Sequence, residues 1–376
     1  MIQYAPIFVF SQKLFMMRIC VAAGIFHPES GGPATYLYRI LPEVQARGHS
    51  VRVLTFGDAP TAEYPYPLRR IPRRALPIRM ADYARAAFAE SLRADLIYIN
   101  SLGLPLYGMN HKPRVLKVVG DLAWERAVNK GWIPATEDID QFQSRTYNWR
   151  VRMIQGQRAH EVQRMDRIIV PSSYLRDMVI GWGAPPDRVQ VIYNAFSPNA
   201  KASTLTQAES RAEIGLGSNP ILLTVARLVP WKGIDYLIRA IRQIPDVHLL
   251  IAGDGPDESR LRAVATSENV ADRVEFLGRV PRERLAQIYR AADYTMLYSG
   301  YEGLSHVLLE SLLAGTPVIA SDKGGNPETV RHNVNGLLVS YPDENALIDS
   351  IRTALSGDTR VRLAAQTSID LDKFRW

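Results

Sequence analysis

The chain has 376 residues, 47% hydrophobic and 22% charged, with a formal net charge of +7. That length and apolar content suffice for two domains with real cores and exclude a disordered or fibrous chain. The lone cysteine, Cys20, rules out an internal disulfide and argues against a Cys-based metal site, so a reducing, cytoplasmic setting fits. No apolar run reaches the length of about 18 residues that a spanning helix requires.

The charge is uneven. Residues 1–197 hold 25 Lys/Arg against 16 Asp/Glu, and residues 198–376 hold 20 against 22. The first half therefore faces or lies near something anionic. Within it, Arg69, Arg70, Arg73, Arg74 and Arg79 alternate with prolines, Leu68, Ile71, Leu76 and Ile78. Such a run is either a solvated basic loop or a contact for an anionic membrane surface. No helix-turn-helix, zinc-finger or RNP signature is present, so nucleic acid is not an expected partner.

Residues 1–16 carry Lys13 as their only charge and read as an N-terminal extension. The first convincing strand is Met17–Ala22. It runs into GIFHPESGGPATYLYRIL, where Gly31 and Gly32 let the backbone pass close to a ligand and Pro33 opens a helix. Pro42 is expected to kink that helix. HSVRVLTF, DLIYIN and VLKVVG are further strands, and the alternation with helices predicts a parallel sheet. The third of these leads into Asp121, at the carboxyl end of a strand, where open α/β sheets bind ligands. Asp121 is therefore either a ligand contact or a helix N-cap. Residues 125–165 read as long and polar, with Asp138-Ile139-Asp140 as a solvated turn rather than a metal-binding D-x-D. RIIV and VQVIYNAF complete a first domain spanning 17–197. Residues 197–219, poor in bulky apolar side chains, read as the linker to a second domain over 198–376.

The second half restarts the pattern with ILLTVA, VHLLIAG, VEFLG and YTMLYS. After the first of these strands, ARLVPWKG places Arg227 and Lys232 in one loop, a guanidinium fork and a point charge suited to one diphosphate. Gly253-Asp254-Gly255 ends a strand and opens a helix; Arg279 and Val280 follow FLG. The stretch SGYEGLSHVLLESLLAGTPVIASDKGGNPETV carries Glu302 and Glu310, eight positions apart. Its apolar spacing predicts a buried helix over Leu304–Ala314, stopped by Gly315 and followed by the strand PVIAS. The amides near Gly303, Leu304, Ser305, His306 and Val307 would then form a positive helix start suited to phosphate. A fully helical segment would separate the two glutamates by ~12 Å. Such a pair could grip the two ends of one elongated ligand rather than act on one bond.

E-G-L-S-H-V-L-L-E, followed by A-G-T-P-V-I-A-S and G-G-N-P-E, resembles the donor-site signature of retaining glycosyltransferases of family 4. GGPATYLYRIL, VIYNAF, VARLVPWKG and IAGDGP extend the resemblance over roughly 17–376. It implies the GT-B fold: α/β, with two Rossmann-like domains whose parallel sheets face each other across a cleft. It also implies a nucleotide-diphosphate sugar donor and transfer without a metal or other cofactor. Under that resemblance Arg227, Lys232, Glu302 and Asp121 take catalytic roles. Glu310 meets the ribose, and Gly31, Gly32, Gly253, Gly255, Arg279, Val280 and Gly303–His306 line the donor. Many family members have histidine at the position aligned with Asp121, which puts the acceptor contact in question. The expected acceptor is a lipid-linked or saccharide hydroxyl in envelope or exopolysaccharide synthesis, at the inner face of the membrane. Two alternatives stand beside this: a sugar-nucleotide epimerase of the same architecture, and a non-catalytic sugar-nucleotide-binding protein.

Overall fold

The computed structural model describes residues 16–29, 31–59, 63–106, 111–195 and 205–375. The chain divides into two compact units. One runs to Val118 and takes in His160–Ile169; the other holds Val119–Ala159 and the chain from Val170 onward. The expected extension, apart from Met16, and the expected boundary at 197/198 lie outside the described residues.

Seven strands are β1 (Arg18–Ala23), β2 (Ser50–Phe56), β3 (Leu68–Ile71), β4 (Leu96–Ile99), β5 (Arg114–Lys117), β6 (Arg167–Val170) and β7 (Val189–Val191). They form one sheet in the order β3-β2-β1-β4-β5-β6-β7. The paired strands from β3 to β6 are all parallel. Six more are β8 (Ile221–Val225), β9 (His248–Ala252), β10 (Val274–Gly278), β11 (Tyr294–Leu297), β12 (Val318–Ser321) and β13 (Gly336–Val339). The second sheet has the order β10-β9-β8-β11-β12-β13, again parallel. Both sheets wind outward from a central pair and reverse direction there, the Rossmann-like arrangement expected from the strand–helix alternation. Among the described residues no helix is long and apolar enough to cross a membrane.

The strands are nearly continuous apolar runs because helices cover both faces of a parallel sheet. In the first unit Val21, Ala23, Val51 and Val53 pack under Leu37 and Leu41 of the helix Gly32–Ala46, which continues through Pro42. In the second, Leu222, Leu249, Ile251 and Met296 meet Leu237, Ile238 and Ile241 of the helix Ile234–Arg242. On the other side, Leu308, Leu309 and Leu312 pack on Val318 and Ala320.

Several expectations change. The basic run is not one loop: Leu68–Ile71 is an edge strand, and Leu76 opens the helix Leu76–Ser91. Arg70 donates to the His27 carbonyl at 2.5 Å, and Arg73 pairs with Glu29. Residues 125–165 contain most of three helices, Leu122–Asn129, Ile139–Ser144 and Trp149–Gln163. Asp138 is not a solvated turn residue: it caps the second of these helices and pairs with Lys323 at 3.2 Å. The expected linker includes a helix, Gln207–Ile214, opened by a reciprocal Thr206/Glu209 capping box. Polarity misled there, because a short helix closed by such a box needs few bulky residues.

Candidate functional site

Most of the singled-out residues lie at the carboxyl ends of β8 to β11. Arg227 follows β8, and Lys232 closes the turn Pro230–Lys232. This loop is stitched to its neighbours by backbone bonds. Ala226 N donates to Ala252 O at 3.0 Å, Leu228 N to Asp254 O at 2.9 Å, and Gly253 N to Gly278 O at 2.7 Å. Gly253 and Gly255 make the stitching possible: a Cβ on either would stand 1.9 Å from Ala226 O or 2.2 Å from Leu228 O. Their requirement is close backbone approach, which in turn places Arg227. Arg279 pairs with Asp254 at 2.7 Å, with both side chains substantially exposed. Val280 packs against the cluster that holds Ile221 and Leu223.

β11 leads into Gly300-Tyr301-Glu302-Gly303. The helix that follows spans His306–Leu313, two residues later than its apolar pattern suggests, because Ser305 is its N-cap. The Ser305 hydroxyl accepts from Leu308 N at 3.5 Å, withdrawing that amide from any ligand. Gly303, Leu304 and Ser305 are buried, and His306, half-buried, opens the helix. Glu302 is therefore in the loop before the helix, while Glu310 is inside it. Lys232 Nζ donates to Glu302 Oε1 at 2.5 Å, so two residues from different loops form one half-buried pair. Glu310 accepts from Arg282 at 3.2 Å and from the Tyr289 hydroxyl at 3.4 Å. Burial raises the Glu310 pKa above the usual carboxylate range, opposed by the Arg282 charge.

The Glu302 loop is clamped from below by the turn after β12. Gly325 N donates to Glu302 O at 2.9 Å. At Gly324, with φ of 61°, a Cβ would stand 2.1 Å from the Glu302 carbonyl oxygen. Gly324→Ala is therefore expected to lose more than about 1 kcal/mol, whereas Gly217→Ala, which meets nothing within 4 Å, changes little. Urea unfolding of the two variants checks this. The same turn is held by Glu328, which accepts from Ser173 N at 2.9 Å, Tyr174 N at 3.0 Å and the Tyr193 hydroxyl at 3.0 Å.

Asp121 is fully buried. One oxygen caps the helix Leu122–Asn129, accepting from Ala123 N at 2.9 Å and Trp124 N at 3.2 Å. The other accepts from Gln143 at 3.1 Å and from the Arg158 guanidinium. The N-cap alternative thus accounts for Asp121 without a ligand. Its own amide donates to the Tyr301 hydroxyl at 3.1 Å, tying this helix start to the Glu302 loop. Trp124 completes the tie, its ring meeting Trp231 at 5.2 Å and Tyr301 at 5.6 Å.

That packing brings in a residue the sequence reading passed over. Glu125, on the first turn of the same helix, is half-buried and within electrostatic reach of Lys232, Arg227 and Asp121. Burial and the Asp121 charge push its pKa up to about 7. Its carboxylate and the exposed Arg227 guanidinium have no hydrogen-bond or ion-pair partner among the described residues. The signal in the sequence was Asp121 as cap with an acid four positions on, which helical spacing brings back to the cap. Gly31 and Gly32 open the helix Gly32–Ala46 and are exposed; they belong to the first unit, the other site residues to the second. Among the described residues no group of three or more His, Cys, Asp or Glu side chains is arranged to hold a metal.

A family model described as Glycosyltransferase Family 4 matches residues 30–199, and one described as Glycosyl transferases group 1 matches residues 206–368. An uncharacterised glycosyltransferase of Methanocaldococcus jannaschii is 38% identical over 184 residues, covering 47% of each chain. A D-inositol 3-phosphate glycosyltransferase of Mycobacteroides abscessus is 37% identical over 190 residues, covering 47% of this chain and 42% of its own. The matched region therefore spans about half the length of these relatives. Among solved structures, Anabaena HepE in complex with UDP and glucose superposes with a TM-score of 0.76 at 22% identity, covering 96% of both chains.

Proposed function

The chain belongs to the family 4 glycosyltransferases of GT-B fold, and from that premise we propose that it moves a hexose-type sugar from a nucleotide-diphosphate sugar to an acceptor hydroxyl, with retention of anomeric configuration. The observation that carries this is the convergence of Arg227, the Lys232–Glu302 pair and the helix start at His306 on the carboxyl ends of β8 and β11. Negative charge builds on the departing diphosphate as the glycosidic phosphate bond breaks. Arg227, without a partner among the described residues, and Lys232, released from Glu302, stabilise that charge. Glu302, freed in exchange, accepts from donor-sugar hydroxyls beside the amides of Gly303 to His306. Glu310 accepts from the ribose hydroxyls. Two cations and a helix start supply the positive charge that a metal would otherwise bring, so the transfer is metal-independent. Asp121 is a positioning residue that holds its helix start against Tyr301.

UDP and UDP-glucose in complexes of HepE favour a uridine diphosphate donor. The basic first half and the exposed Leu76 and Ile78 near Arg74 favour an anionic or lipid-linked acceptor met at a membrane surface, in envelope or exopolysaccharide synthesis. Thermal shift with UDP, GDP and ADP, with and without EDTA, tests the donor site. One nucleotide is expected to raise Tm by several degrees irrespective of EDTA, since ligand at ~100 times Kd adds about 2.7 kcal/mol. No shift with any nucleotide overturns the donor site. A shift abolished by EDTA overturns metal independence alone.

A further inference from the structure

Three of the acids assigned to the site have their partners already taken. Asp121 is held by Arg158, Gln143 and two helix amides, and Glu302 by Lys232. Glu310 is held by Arg282 and Tyr289. A fourth, Glu125, has no such partner among the described residues. It sits on the helix turn that Trp124 packs against Trp231 and Tyr301, the chain neighbours of Lys232 and Glu302. Its Oε1 and the Tyr301 hydroxyl crowd the same point: each would stand 3.1 Å from a Cβ on Gly120. Gly120 thus leaves the space into which the glutamate turns. A half-buried acid with no partner of its own is costly unless something else meets it.

We propose that Glu125 holds the acceptor: its carboxylate accepts the hydrogen bond of the incoming hydroxyl and takes the proton as that oxygen bonds to the anomeric carbon. This rests on the glycosyltransferase reading above. The new C–O bond forms as the sugar–phosphate bond breaks. The electron pair of the broken bond leaves with the nucleoside diphosphate, toward Arg227 and Lys232. The acceptor proton ends on Glu125 and passes from there to solvent or to the released diphosphate. Trp124 and Trp231, the chain neighbours of Glu125 and Lys232, pack on each other, so the hydroxyl that Glu125 holds approaches from the leaving-group side, as retention requires. Glu125 thereby takes the acceptor side, while Asp121 caps the helix that carries it.

The groups facing Glu125 define its pH behaviour. Asp121 raises its pKa, Lys232 and Arg227 lower it, and the Tyr301 hydroxyl stays protonated. With burial they leave it at about 7, where a general base is efficient. The folded state then binds a proton that the unfolded chain releases at lower pH. Glu125 therefore costs stability as pH rises through about 7 and costs nothing below the ordinary carboxylate range.

The test uses Glu125→Gln and Glu125→Asp in the full chain, with UDP, GDP and ADP as calorimetric probes. Turnover is followed as hydrolysis of the matching nucleotide-glucose, water standing in for the acceptor. Nucleotide affinity is expected to stay within about threefold of wild type in both variants. Wild-type kcat/KM falls below pH 7. Glu125→Gln lowers turnover at pH 8 by at least about a hundredfold and removes that inflection, while Glu125→Asp restores part of both. Independently of turnover, Glu125→Gln raises Tm above wild type at pH 8, and the gain shrinks toward pH 5. Unchanged turnover or a persisting inflection in Glu125→Gln overturns the assignment, as does a Tm difference independent of pH. Absence of nucleotide binding in wild type overturns the glycosyltransferase reading itself, an outcome separate from these.

Discussion

Arg158→Ala is expected to cost about 3–5 kcal/mol of stability, because it leaves a carboxylate buried without its counter-charge. Arg158 is 8% exposed and Asp121 0%. The guanidinium is sandwiched between that carboxylate and the Trp182 ring, 4.2 Å from its centroid. Gln143 closes the network, donating to Asp121 at 3.1 Å and accepting from Trp182 Nε1 at 2.9 Å. Asp121→Asn separates the two jobs of the aspartate: asparagine still caps a helix, but Arg158 then becomes the unpaired charge. Both single variants should therefore be strongly destabilised, and Arg158→Met combined with Asp121→Asn should recover much of the loss. Urea unfolding followed by tryptophan fluorescence measures this directly, since Trp124 and Trp182 flank the network. A loss below about 1 kcal/mol in Arg158→Ala would mean the pair is not structural, and would return Asp121 to the list of ligand contacts.

Lys232→Ala is expected to lower sugar transfer by at least about tenfold, equivalent to ~1.4 kcal/mol in the barrier, with the fold retained. The ammonium is 18% exposed and its partner Glu302 is 11% exposed, so the pair is shielded but reachable. Removing the cation also orphans Glu302, which complicates the single variant. The Lys232→Ala, Glu302→Gln double variant removes that orphan without restoring charge to the diphosphate. It should regain stability and not transfer. Steady-state kcat/KM for the donor, with circular dichroism to confirm folding, separates the two effects. An unchanged kcat/KM in folded Lys232→Ala removes lysine from the diphosphate site.

The contrast between Asp121 and Glu125 explains what was legible beforehand. Asp121 stands out in the sequence because it follows an apolar strand, and strand ends are where α/β sheets place ligands. The same position is also where a helix begins, and a cap and a ligand contact look identical in one dimension. The partners of the cap, Arg158, Gln143 and Tyr301, come from positions 22 to 180 residues away. Glu125 drew no notice for the converse reason: a glutamate in the first turn of a helix is ordinary. It becomes unusual only when Trp231 and Tyr301 pack over that turn and partly exclude water. The basic run misled in a similar way. Leu68–Ile71 adds to the edge of the first sheet through backbone bonds that arginine side chains do not prevent.

By itself the sequence determined the two parallel sheets, nearly all their strands, and the loops that carry Arg227, Lys232 and Glu302. These follow from local rules: apolar runs form buried strands, and glycines mark backbone contacts that a Cβ would block. Tertiary structure alone decided the partners: Lys232 with Glu302, Asp121 with Arg158, and Glu125 with none among the described residues. Pairing of charges depends on which loops meet at the strand ends and how much water they exclude. Sequence spacing encodes neither, because residues 70 positions apart can stand 2.5 Å from each other, as Lys232 and Glu302 do.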